Sequence, residues 1–376
     1  MRALIQAVII QIILLPYVLY RGYQALPPKK IWRIPYLVIF ITEWLIFFFG
    51  YLFYDKLSDD VMTAINFYGN IWFTAGLYIT ILLIILELIR LSNWIIPWFP
   101  EWVKKHLPQI KLTLFFSALI GSCILLTYGF KKALNPVVTH IHVTLPKGTS
   151  TRDSLTIAMM SDLHIGEIIG KKMVKKYVAL SNAQHPDMVV LVGDIMHHEP
   201  RFAIDAHIEE DLRELEAPLG IYIVYGNHEY RGDRDEKNQW LNTIGGTLLV
   251  DSVVMPDSTF YLVGRDDYIN KERKPLNEIM TGVDHSKPII VLDHQPNSFD
   301  ESMANQVDLG LHGHTHNGQI WPYSALLKLV YDQPYGYYRK GSAQFYVSSG
   351  IGFAHPPFRI GTVSELAVIH IRFADS

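Results

Sequence analysis

Four apolar runs, at residues 4–20, 34–54, 71–89 and 112–130, are separated by short polar breaks. No other feature constrains the chain as strongly, because about 20 consecutive apolar residues are what a helix needs to cross a bilayer. The runs explain an apolar share of 49% and a charged share of only 18%, where soluble domains carry about a quarter charged residues. The shortage is local. Residues 1–130 hold 10 basic and 6 acidic side chains, and the remaining 246 residues hold 23 and 30. Six of the 8 tryptophans lie in the first part and 15 of the 16 histidines in the second. The sequence therefore predicts a transmembrane region of four helices over 1–133, followed over 134–376 by a water-facing domain that carries the chemistry. Net charges of +4 and −7 for the two parts give no basic footprint for nucleic acid. The single Cys123 excludes a disulfide framework or a cysteine zinc site within one chain.

The first run is the shortest and contains Gln6, Gln11 and Pro16, but no small-residue cleavage site ends it, so an uncleaved helix is expected. Most tryptophans before residue 131 fall near run ends, where amphipathic rings favour the headgroup region, and 94–102 reads as an interfacial segment. Lysines and arginines set the orientation. Loop 21–33 carries Arg21, Lys29, Lys30 and Arg33, and loop 90–111 carries Arg90, Lys104, Lys105 and Lys111. Lys56 is alone in its loop, beside Asp55, Asp59 and Asp60. Both basic loops are expected in the cytoplasm, which puts the C-terminal domain on the outer side, although Lys131 and Lys132 argue the other way. An ionisable group in hydrocarbon is costly. Glu43, mid-way through the second run, is read as protonated and hydrogen-bonded to a neighbouring helix, with Gln11 a candidate partner, and Glu87 as an interfacial pair with Arg90.

Residues 137–145 alternate apolar and polar side chains, as a half-exposed strand does. Buried-strand runs then recur at 155–160, 188–192, 221–225, 260–263, 289–292, 307–311, 345–347 and 366–371, with helices expected over 171–184 and 204–216. The class is α/β. Five of these strands end in metal-ligand chemistry: Asp162-Leu-His164, Gly193-Asp194, Gly226-Asn-His-Glu229, Asp293-His294 and His312-Gly-His-Thr-His316. Any one of these motifs occurs by chance. Five in register can converge, because ligands gather in the crevice beyond the carboxyl ends of the strands.

That ordered series, over roughly residues 137–373, resembles the calcineurin-like metallophosphoesterase superfamily. Residues 313–319, 349–352 and the closing Phe358-Arg-Ile-Gly with Glu365-Leu366 are similar to a membrane-associated branch with YkuE-type phosphoesterases and transmembrane proteins carrying a metallophosphoesterase domain. The resemblance implies a two-sheet αββα sandwich. It implies that Asp162, His164, Asp194 and His316 hold one divalent metal, and that Asp194 bridges to a second held by Asn227, His294 and His314. Two cations supply a hydroxide nucleophile and offset charge on the phosphoryl oxygens. Mixed imidazole, carboxylate and amide ligands suit Mn, Fe or Zn better than Mg. His228 resembles the family's proton donor to the leaving oxygen.

One position departs from the pattern. Many relatives carry a second carboxylate three residues after the Gly-Asp, and it orients the donor histidine; here His197 stands there, with Glu199 and Glu229 as candidates to replace it. His197 and His198 are candidates for substrate phosphate or for plain surface. Arg359 is the candidate to grip phosphate through its guanidinium fork. Arg265-Asp266-Asp267 is either pocket lining or a solvated turn, and Trp321, Tyr331, Tyr335, Tyr337 and Tyr338 are either a lid or ordinary packing. The expected function is a membrane-anchored phosphohydrolase cleaving a phosphoester or pyrophosphoester, lipid-linked or envelope-borne. The alternatives are a nucleotide phosphodiesterase with an incidental anchor and a non-catalytic membrane sensor.

Overall fold

The computed structural model describes residues 2–53 and 57–375, with side chains from residue 14 onward except at 47, 50–52 and 59. Asp55, Lys56 and the side chains of Gln6 and Gln11 lie outside the described residues. The chain divides into two compact units, 1–129 with 355–357 and 130–354 with 358–376.

The first unit is helical: α1 (Arg2–Ala25), α2 (Lys30–Leu52), α3 (Asp59–Ile95), the short α4 (Glu101–Lys105) and α5 (Leu107–Ala133). Among the described residues, two helices are long and apolar enough to cross a membrane, Asp60–Ile95 and Leu107–Ala133. Their apolar side chains face outward, Ile84, Leu88, Ile120 and Ile124 among them, as expected where the surrounding solvent is lipid. Leu15, Val18 and Phe40 are buried together, with Trp44 and Trp72 against them. Glu87 joins α1 to α3: it pairs with Arg21 at 2.6 Å and Arg90 at 2.9 Å and accepts from the Tyr17 hydroxyl at 2.8 Å. The expected Arg90 partner is thus one of three.

The second unit holds two mixed six-stranded sheets. The first runs β1 (Val137–Pro146), β12 (Glu365–Ala374), β2 (Ser154–Met160), β3 (Met188–Val192), β4 (Ile221–Val224) and β5 (Thr247–Leu248). The second runs β10 (Gly336–Lys340), β11 (Ala343–Val347), β9 (Leu309–His312), β8 (Ile289–Leu292), β7 (Tyr261–Gly264) and β6 (Ser252–Val254). In the first, β2 to β5 are mutually parallel; in the second, β7, β8, β9 and β11 are. A core drawn from both sheets, with Ile157, Val190, Leu262, Ile290 and Leu309, fixes them face to face. A second core covers the first sheet with helices, and a third packs Leu276 and Ile279 on the second sheet.

Helix α6 (Lys171–Asn182) buries Val174, Tyr177, Val178 and Ser181. Met173 and Leu180 flank that face and are only partly buried. The single helix expected over 204–216 is instead two short ones, Arg201–Asp205 and Ile208–Leu212, because His207 between them takes a left-handed φ of 49°. Strands β5, β6 and β10 escaped the sequence reading; two are too short to show a period, and β10 alternates half-buried and exposed residues. Because β10 pairs with β11, Tyr338 packs on Phe299 and Phe345, and the Tyr337 hydroxyl donates to Gln344. Those two tyrosines are sheet packing, not lid.

Candidate metal centre

Parallel neighbours end on the same side of a sheet, so β2, β3 and β4 deliver their following residues to one rim, and β8 and β9 do the same from the other sheet. Hydrogen bonds lock the rims together. The Asp162 and His164 amides donate to the Gly193 and Asp194 carbonyls, both at 3.0 Å, within the first sheet. Between the sheets, the His314 amide donates to both Asp162 carboxylate oxygens at 3.1 Å, and His294 Nδ1 donates to the Val192 carbonyl at 2.8 Å.

Turning these side chains inward requires unusual backbone. Asp162, His164, Asp194, His314 and His316 all have φ between 50° and 72°, a region that costs a non-glycine residue about 1–3 kcal/mol and persists only where surrounding structure enforces it. Gly226 allows the closest approach: a Cβ there would collide with Asp194 Oδ1 and the Asp194 amide.

The side chains form two neighbouring sets, Asp162 with His164 and His316, and Asp194 with His294 and His314; the donor atoms of each set lie within 4.8 Å of one another. Asp194 touches both, its Oδ2 lying 3.7 Å from His164 Nε2 and 3.3 Å from His294 Nε2. Asp162 Oδ1 lies 3.3 Å from His316 Nε2. Burial pushes the Asp162 carboxyl up to about 6, against the pull of His294 and with the charge of Asp194 adding to the rise. Burial holds His314 down to about 3 and His164 and His316 well below the ordinary imidazole value. These three rings are therefore neutral, the form that offers a lone pair to a cation. Burial opposes the charge on Asp194, yet His294 and His228 keep it well below the usual carboxylate range. His294 goes the other way, raised by Asp194 despite its burial.

The donor set fits divalent cations on a direct observation. Asn227 Oδ1, His294 Nε2 and His314 Nδ1 are buried without a hydrogen-bond partner, and an unmet buried polar atom costs about 1–3 kcal/mol. Unpartnered atoms on Asn227 and His314, with a His294 Nε2 that meets only the Asp194 carboxylate at 3.3 Å, are what cation ligation satisfies. The His/Asp clusters fit two divalent metals.

His228 sits beside them. Its amide donates to Asp194 Oδ1 at 2.7 Å, and its Nε2 lies 4.0 Å from Asp194 Oδ2. Its Nδ1 donates to the backbone carbonyl of His197 at 2.5 Å. A carbonyl only accepts, so Nδ1 carries the hydrogen and Nε2 faces the centre. The group that aims His228 is thus the His197 backbone, while the His197 ring stacks on His228 at 5.0 Å between centroids. Glu229 does not replace the missing carboxylate: it accepts from the amides of Gly226, Asp194, Ile195 and Met196 at 2.7–3.1 Å and holds the Asp194 loop. Arg231, which the sequence reading passed over, donates from Nη1 to His228 Nε2 at 2.8 Å. An exposed arginine three residues past a candidate proton donor reaches it only because the loop turns back, which residue types do not announce.

Arg359 corrects an expectation. It is wholly buried. Its guanidinium donates to the carbonyls of His316 at 2.8 Å, Ser349 at 2.6 Å and Gly352 at 2.7 Å, and its Nε to Ser364. With every guanidinium nitrogen committed to the protein, Arg359 is a clamp behind His316 and has no fork left for substrate. Arg265 is also buried, paired with Glu301 at 2.6 Å, so that triplet is no solvated turn.

A sequence profile described as calcineurin-like phosphoesterase matches residues 155–318, the segment that contains the clusters above. An uncharacterized metallophosphoesterase of Helicobacter pylori strain J99 is 33% identical over 281 residues, covering 71% of this chain and 72% of its own length. A transmembrane protein with metallophosphoesterase domain from Danio rerio is 30% identical over 274 residues, 68% of this chain and 62% of its own. The uncharacterized metallophosphoesterase YkuE of Bacillus subtilis is 27% identical over 265 residues, 65% and 90% respectively.

Gly226→Ala is expected to displace the Asp194 carboxylate and lower bound metal at least severalfold while leaving every donor side chain in place; metal analysis of the purified variant checks this. Unchanged metal content would mean that the close approach of Gly226 does not set the position of Asp194.

Proposed function

The chain belongs to the calcineurin-like metallophosphoesterase family and is a metal-dependent phosphoesterase, and we propose from that premise that it hydrolyses a lipid-linked or envelope-borne phosphoester or pyrophosphoester at the centre built around Asp194. One observation carries the reading: Asp194 Oδ2 lies within 3.7 Å of His164 Nε2 and 3.3 Å of His294 Nε2, so one carboxylate serves both donor sets. Asp162, His164, Asp194 and His316 would hold one cation, and Asp194, Asn227, His294 and His314 the other. Mn, Fe or Zn suits these donors. When bound, such a pair lowers the pKa of a water and offsets charge on the phosphoryl oxygens.

The chain's own residues do the rest. His228, held in aim by the His197 carbonyl on Nδ1, has its pKa lowered by burial and accepts from Arg231 at Nε2; it takes a proton from solvent at Nε2 once Arg231 turns away and passes that proton to the leaving oxygen. Arg231 turns from His228 Nε2 to the non-bridging phosphoryl oxygens, where its charge and fork geometry match. Glu229 and Arg359 keep the Asp194 and His316 loops from relaxing.

The lipid-borne substrate draws support from a surface feature. Just past His316, the segment 321–330 exposes Trp321, Tyr323, Leu326, Leu329 and Val330, with Leu329 82% exposed. Tyr331 continues it to His314, at 6.4 Å between ring centroids. Exposed apolar surface on this scale marks a binding or membrane face. Four membrane spans with the basic loops in the cytoplasm, and the catalytic domain from residue 134 on the outer side, complete the reading.

The full chain, stripped with chelator and reloaded with Mn, is expected to hydrolyse a chromogenic phosphodiester, and Asp194→Asn to abolish both turnover and stoichiometric metal. Retained activity with two metals per chain in that variant would overturn the centre. His228→Ala is expected to keep its metal and lose roughly 10² or more in turnover, less on substrates with good leaving groups; equal loss on good and poor leaving groups would assign it to positioning. Leu329→Glu should leave the soluble diester unaffected and slow a phosphoester presented in mixed micelles, and equal rates for both substrates would detach the exposed segment from substrate capture.

A further inference from the structure

A cavity of about 1100 Å³ opens inside the helical unit, between α5 and the α1, α2 and α3 helices. Most of its wall is apolar, with Val18, Phe40, Ile79, Leu114, Ala118 and Leu126 on it. It does not arise from loose packing throughout: α1, α2 and α3 share a buried core, and α5 meets them edge-on where Phe115 packs on Tyr36 at 5.7 Å between centroids. That contact holds α5 at a distance that its smaller neighbours Ala118 and Ser122 leave unfilled. The volume lies just above the range that small-molecule pockets offer, roughly 300–1,000 Å³.

One end of the cavity differs in character. Arg21, Arg90, Lys104 and Lys111 line it there, with Glu87 the carboxylate among the lining residues. Arg21 and Arg90 are already drawn together on Glu87, at 2.6 and 2.9 Å, and Lys104 pairs outward with Glu101 at 2.6 Å. Four cations against the Glu87 and Glu101 carboxylates leave a net positive mouth above an apolar shaft. The shaft offers water few partners, and a protein segment placed there would meet uncompensated positive charge at the mouth. Basic pockets between membrane helices match anionic lipid head groups, and an apolar interhelical gap matches acyl chains.

We propose that this cavity is a binding site for one anionic diacyl phospholipid, its phosphate held by the Arg21, Arg90, Lys104 and Lys111 group and its chains between α5 and the α1, α2 and α3 helices. The site lies within the helical unit and is independent of what the phosphoesterase centre cleaves. It makes the lipid part of the helical unit, filling the gap that Phe115 props open.

The test uses the full chain in an uncharged detergent, titrated with dioleoylphosphatidylglycerol or dioleoylphosphatidylcholine and read by native mass spectrometry. The expected result is one phosphatidylglycerol per chain, held roughly tenfold more tightly than phosphatidylcholine. Lys104→Gln with Lys111→Gln should bring the two lipids close to parity, and Ala118→Phe, which fills the shaft, should weaken both at least severalfold. Hydrolysis of the soluble diester serves as the folding control and should not change. Equal affinity for the two lipids in the unmodified chain would overturn the head-group assignment. Unchanged adducts in Ala118→Phe would place the lipid elsewhere. A lipid-free dimer would mean that a second copy fills the gap.

Discussion

Everything in the second unit answers to one electrostatic demand: two carboxylates, Asp162 and Asp194, are buried at the junction of two sheets among imidazoles that burial keeps mostly neutral. A buried charge is tolerated only where fixed partners surround it. The left-handed backbone at five of the cluster residues, the missing Cβ at Gly226, the Glu229 carboxylate on four amides and the Arg359 guanidinium on the carbonyls of His316, Ser349, Gly350 and Gly352 all hold those groups in place. Removing any one of these supports leaves the donor chemistry intact and misplaces it. The unmet atoms of Asn227, His294 and His314 show where that arrangement still lacks a partner.

The two units divide the physical work between them. In the helical unit apolar side chains face outward and charged groups pair, as Glu87 does with Arg21 and Arg90. In the α/β unit apolar side chains fill a core between the sheets, and the carboxylates of the centre, Asp162 and Asp194, lie just past strand ends, where backbone amides meet them. The concentration of tryptophan in one part and histidine in the other follows from that division.

Much of this was legible in the residues. Buried strands of four to ten residues have an apolar run and a definite end, so the five ligand-bearing ends could be read in order. What failed has a common cause: the backbone leaves no residue-type signature. The group that aims His228 is a carbonyl, which any residue at 197 would supply, and the partners that withdraw Arg359 from substrate are carbonyls as well. The break at His207 is a left-handed turn at a residue with no glycine or asparagine to announce it. Strand β10 alternates in burial but not in residue type, since its sequence Gly-Tyr-Tyr-Arg-Lys has neighbouring aromatic and neighbouring charged residues. Arg231 was missed for a simpler reason: an exposed arginine is ordinary until the side chain beside it is known.

The central claim is that Asp194 stands between two cations. Anomalous diffraction from manganese-loaded crystals of the full chain, collected at the metal edge, tests it most directly. The account predicts two peaks of similar height about 3.5–4 Å apart, both within ligand distance of Asp194, one on the His164 and His316 side and the other on the His294 and His314 side. A single peak, or two peaks that Asp194 does not share, would contradict it.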